Sequence, residues 1–97
     1  MFDFKHWCDW VESRLKQAPP SGFTAEFHLG QPSAKQAARV DLKADHKVMQ
    51  FFFWETGEAD FFGVELDTGR EITSFMGRIL DDNTFEQSFE DCLKSFA

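Results

Sequence analysis

Tyrosine is absent from this 97-residue chain, cysteine occurs only twice and proline three times. Two cysteines are too few for a disulfide scaffold, and no stretch approaches the ~18 consecutive apolar residues of a membrane-spanning helix. The opening MFDFKHWCDW is interrupted by charge and has no apolar run of the kind that forms a secretory signal. The expected setting is therefore the reducing cytoplasm, with Cys8 and Cys92 as buried thiols; a disulfide joining the two terminal segments is the alternative. The glycines stand singly in turns, so there is no glycine-rich loop to cradle a phosphate.

Basic residues are scarce in one half only. Residues 1–54 carry seven Lys/Arg and six Asp/Glu, a balance of +1, whereas residues 55–97 carry three and eleven, a balance of −8. The total of −7 repels nucleic-acid phosphates and anionic membranes, so neither is expected as a partner, and it attracts a basic protein surface. Acidity also serves simply to keep a small protein in solution. Solubility does not account for the segregation.

Phenylalanine is what the chain has in excess: 13 Phe accompany three Trp. Phe brings a large apolar area and no hydroxyl to satisfy, which suits a core that must be built in one small domain spanning residues 1–97. Phe4, Trp7, Cys8, Val11, Leu15 and Ala18 recur at three- and four-residue steps behind Asp3, which predicts a capped amphipathic helix ended by Pro19-Pro20. Residues 23–29 and 38–44 alternate as strands. Glu55-Thr56-Gly57-Glu58 and Asp67-Thr68-Gly69-Arg70 place glycine within polar tetrads, and so divide the rest into strands at about 48–54, 59–66 and 71–76. Phe85, Phe89, Cys92, Leu93 and Phe96 form the stripe of a closing helix, with Thr84 to Gln87 as a capping box behind Asp81 and Asp82. The expected class is α+β: an antiparallel meander of four to five strands flanked by an N-terminal and a C-terminal helix.

A two-residue Thr56-Gly57 loop would set Phe53 opposite Asp60, Phe51 opposite Phe62 and Met49 opposite Val64. Trp54/Ala59, Phe52/Phe61 and Gln50/Gly63 would then pair on the other face. Because neighbours on a strand face opposite ways, Phe51-Phe52-Phe53-Trp54 and Phe61-Phe62 place large rings on both faces of the sheet. Either the two helices cover both faces, or one face presents its rings to a partner.

No catalytic constellation emerges. His6, His28 and His46 lie in three different elements, and His6 and Cys8, two apart on a helix, point away from each other. Cys8 and Cys92 fall on apolar helix faces, where a thiol is inert packing. No enzyme, metal or cofactor is therefore expected. The candidate site is instead a partner-binding one around the hairpins: Trp54, Glu55, Glu58, Asp60, Phe61, Glu65, Asp67 and Glu71. Its aromatics would supply burial, and its carboxylates steering and pairing with Lys or Arg.

The run from Trp54 to Phe61, with Val64-Glu65-Leu66-Asp67-Thr68-Gly69-Arg70-Glu71-Ile72, resembles small bacterial immunity proteins of polymorphic-toxin and contact-dependent growth-inhibition systems, closest to the TriTu-type family. The resemblance implies a helix, an antiparallel sheet with a Trp-x-x-Gly-Glu hairpin, and a closing helix. It also implies a cytosolic inhibitor that neutralises one cognate toxin by binding it. Such toxins are commonly nucleases, and some exploit translation factors such as elongation factor Tu. A competing expectation is an acidic secretion chaperone or adaptor that holds an effector as a dimer.

Overall fold

Asp3 opens the first helix: its carboxylate accepts the His6 N–H at 3.2 Å, and α1 runs Phe4–Gln17. A computed structural model describes all 97 residues. Five strands follow: β1 (Thr24–Leu29), β2 (Ala37–Lys43), β3 (Lys47–Trp54), β4 (Glu58–Glu65) and β5 (Glu71–Ile79); α2 (Phe85–Phe96) closes the chain. The strands lie in the order of the chain, each antiparallel to the next. The α+β meander expected from the sequence is therefore found, with five strands and both terminal helices.

The alternation of apolar residues along the strands decides which face is buried. Ala38, Val40 and Leu42 on β2, Met49, Phe51 and Phe53 on β3, and Ala59 and Phe61 on β4 are all buried on one side. Both helices pack there. The Phe4 ring lies 5.5 Å from Phe53, Phe85 lies 4.9 Å from Phe53, and Phe89 lies 5.5 Å from Phe51. Fully burying each such ring contributes about 1.5–3 kcal/mol, so this layer carries much of the domain's stability. Arg14 of α1 forks onto Glu90 of α2 through two hydrogen bonds, 2.6 and 2.9 Å, locking the helices side by side.

The β3–β4 register differs from expectation by one residue. Phe53 faces Ala59, Phe51 faces Phe61, Gln50 faces Phe62 and Met49 faces Gly63. A two-residue hairpin loop of the favoured type needs positive φ at its first residue, and Thr56 is β-branched. Only glycines in the chain have positive φ, and Gly57 takes φ +89° as the last residue of a Glu55–Gly57 loop, its N–H bonded to the Trp54 carbonyl at 2.9 Å. The extra loop residue shifts every pair. At Gly63 the strands approach so closely that a Cβ would overlap the Val48 carbonyl and sit 2.6 Å from Met49 Cα, so no side chain fits there.

The start of α2 also departs from the sequence reading. The Thr84 side chain makes no capping bond to the helix. Instead Asp81 Oδ1 accepts the N–H groups of Asn83 and Thr84. Asp82 leaves the helix altogether, accepting the Asp3 N–H at 3.0 Å and Trp7 Nε1–H at 2.8 Å. Cys8 and Cys92 are free, buried thiols. No helix is long and apolar enough to cross a membrane.

Candidate protein-binding face

With both helices on one side, the second face of the sheet has no layer over it. Residues 48, 50, 52 and 54 of β3 and 58, 60, 62 and 64 of β4 point that way, because their neighbours point into the core. The uncovered face is divided by chemistry. Across β1 and β2 it is polar: Asp41 Oδ2 lies 3.3 Å from His28 Nε2, and Asp41 Oδ1 accepts from Gln50 Nε2 at 3.1 Å. Arg39 Nε lies 2.9 Å from the same Oδ1 without hydrogen-bond alignment, a contact of charges alone.

Across β3 and β4 the face is aromatic. Trp54, Phe52 and Phe62 form a ladder of parallel rings. Trp54 and Phe52 stack at 5.7 Å and 16°, Phe52 and Phe62 at 5.8 Å and 5°. All three are half-buried. Below the ladder a shallow depression of about 800 Å³ is lined by Val48, Gln50, Phe62, Val64 and Met76 among others. Met76 and Ile79 on the edge strand are 59% and 69% exposed, far more than residues of their type usually are.

The hairpin carboxylates are not one cluster. The β3–β4 and β4–β5 turns lie at opposite ends of an eight-residue strand, a separation of about 25 Å. Glu55, Glu58 and Asp60 belong to the first end, Glu65, Asp67 and Glu71 to the second. Most of them already have partners. Glu55 accepts the Gln36 N–H at 2.9 Å, Glu65 lies 2.7 Å from Arg70 Nε, and Asp60 accepts the Gly77 N–H at 2.7 Å. Glu58 accepts from Lys35 Nζ at 2.9 Å, and that bond holds its carboxyl below the usual carboxylate range. Asp67 and Glu71 are exposed.

Phe61 is corrected from a surface ring to a core ring: it is 1% exposed and faces Phe51. The one-residue shift that buries it exposes Phe62 instead. Phe62, Phe52, Met76, Ile79 and Lys35 therefore join Trp54 on the face; Phe52 and Phe62 were expected only as part of a run of rings shared between both faces, and Met76, Ile79 and Lys35 were not expected there. The signal for the first two was present in Thr56, whose branched Cβ disfavours the shorter loop. Met76 and Ile79 depend on the irregular register between β4 and β5, which no short motif announces.

Burial pushes both thiols up to about 12, so neither is a ready thiolate. No three His, Cys, Asp or Glu side chains converge as metal ligands would. Uncovered, partly apolar faces rimmed by charge are a common form of protein-binding surface, which makes this face the candidate.

One comparison identifies relatives. The family described as "Immunity protein TriTu" matches residues 3–95, nearly the whole chain. No curated protein and no solved structure matches it.

Proposed function

The chain belongs to the TriTu immunity-protein family, and from that membership we propose that it neutralises its cognate toxin by seating the toxin against the open face of the sheet. The observation that carries this reading is the placement of both helices on one side, which leaves the Trp54–Phe52–Phe62 ladder uncovered. Five strands about 4.8 Å apart and about 25 Å long present roughly 500 Å² in projection, before loops are added. That approaches the ~800 Å² per partner of an ordinary specific interface.

The toxin domain in this reading is a nuclease acting in the cytosol, of the kind that can exploit a translation factor such as elongation factor Tu. A nuclease grips phosphate with Lys and Arg, and the carboxylates on the open-face side of β4, Glu58 and Asp60, complement such a surface. Inhibition is then occlusion, by bulk and by charge, and the immunity protein performs no chemical step. The competing reading as a dimeric chaperone is separated by solution mass: a stable dimer in the absence of toxin would support it.

The test is co-expression with a cognate toxin domain. Wild-type protein should protect the cells and co-purify with the toxin. Phe52→Asp combined with Phe62→Asp should do neither while keeping a native circular dichroism spectrum. Full protection by that folded double variant would refute the open face as the binding surface.

A further inference from the structure

Lys35 occupies a position that its own element does not require. It projects from the exposed β1–β2 connection, whose base is fixed without it: Gly30 N–H bonds the Ala37 carbonyl at 2.9 Å, and Gln36 N–H bonds Glu55 at 2.9 Å. From there its ammonium reaches the end of the aromatic ladder, 5.5 Å from the Trp54 ring centroid and 2.9 Å from Glu58 Oε1. A cation is thus held between an indole face and a carboxylate on the very surface left uncovered by the helices.

The fit is loose. A separation of 5.5 Å is near the ~6 Å limit of cation–π attraction. Every hydrogen bond to the Glu58 carboxylate, from Lys35 and from Thr56 Oγ1, goes to Oε1. Oε2 accepts none. An ammonium is a point charge and can do no better, whereas a guanidinium is flat, stacks on an indole and forks across both oxygens of a carboxylate. Lys35 and Glu58 are also 47% and 38% exposed, so the pair that must open is weakly held.

We infer that Trp54 and Glu58 form a subsite for an arginine side chain of the partner, and that Lys35 fills this subsite in the free protein. The inference rests on the open face being the binding surface, and it adds the chemistry of one contact and a competitor for it. The exchange keeps the Glu58 carboxylate paired throughout and releases the half-exposed Lys35 ammonium to water. It also penalises basic surfaces that offer only lysine, which sharpens the choice of partner.

The subsite can be tested without the toxin. The probe is the blocked tripeptide acetyl-Gly-Arg-Gly-amide, titrated into the full chain while the Trp54 indole N–H resonance is followed, with Trp54→Leu identifying the signal. In Lys35→Ala the resonance should move at about two- to fivefold lower peptide concentration than in wild type. Lys16→Ala, which removes the same charge on α1, should leave the midpoint where it was. Glu58→Gln should weaken the response, and the lysine tripeptide should be less effective than the arginine one. An unchanged midpoint in Lys35→Ala, an equal gain in Lys16→Ala, or equal responses to the two peptides would each overturn the inference. A toxin that binds elsewhere would defeat the proposed function while leaving the peptide result intact, so the two failures are distinguishable.

Discussion

Phe52 and Phe62 are not register partners, yet their rings lie 5.8 Å apart with planes only 5° from parallel. Phe52 faces Asp60 and Phe62 faces Gln50, so the two stack on the diagonal across β3 and β4. One residue along each strand, Phe51 and Phe61 are direct partners pointing the other way, into the core. Four phenylalanines in two adjacent pairs thus divide between stability and surface.

That division predicts opposite phenotypes for neighbouring substitutions. Phe61→Ala should cost about 3–5 kcal/mol, read from urea unfolding, because it empties a fully buried ring site. Phe62→Ala should cost about 1 kcal/mol or less in stability. It should nonetheless weaken toxin binding by about 2 kcal/mol or more, measured by calorimetry. Similar effects of the two variants on both quantities would contradict the assignment of faces.

The separation of the hairpin ends predicts that their charges act independently. Glu58→Lys should slow toxin association roughly three- to tenfold at low salt, since it reverses a charge beside the ladder. Asp67→Lys, about 25 Å away at the other turn, should have a smaller effect, and the two should combine additively. Stopped-flow association at several salt concentrations would decide this. A larger effect at Asp67 would relocate the contact to the β4–β5 end.

Asp82 gives the fold an acid-sensitive tie. Its carboxylate is held below the usual range first by the Asp3 N–H and then by Trp7 Nε1–H. A depressed folded value means that this stabilisation is fully present above the unfolded-state value of about 3.9 and fades as pH falls through the lower, folded one. Asp82→Ala should therefore lower Tm near neutral pH. The loss should shrink as the pH drops below about 4, with a change in Trp7 emission. A Tm difference from wild type that grows on acidification would count against the tie.

Both thiols should resist modification. With Cys8 and Cys92 buried and pushed up to about 12, Ellman's reagent at pH 8 should react only as fast as the protein opens, and at once in guanidinium chloride. Prompt native-state reaction at either residue would show that its helix face is accessible.

The elements were readable because their signals are local. Trp7, Val11 and Leu15 on α1, and Phe85, Phe89, Leu93 and Phe96 on α2, announce their stripes at helical spacing, and the polar tetrads around Gly57 and Gly69 mark the turns. What stayed hidden depends on distance in space. Whether two amphipathic helices share a face or divide between faces is settled by how their rings pack on Phe51 and Phe53, not by either stripe alone. The carboxylates from Glu55 to Glu71 look like a cluster on paper because the chain reverses between them, and the same reversal carries them apart. Asp82 looked like a helix-end charge, and is in fact drawn off to a backbone N–H 79 residues away.

Every strand in this sheet is bonded to the strand before or after it in the chain. No strand need wait for a distant one to be made, and the loops to be closed are short, so forming the meander costs little loop-closure entropy. The longer-range steps are the docking of the two helices on the sheet and of α2 beside α1, with Asp82 meeting Trp7 and Glu90 meeting Arg14. This domain of a newly synthesised copy should then fold as soon as α2 clears the ribosome, so the delay before protection is set by translation rather than by folding.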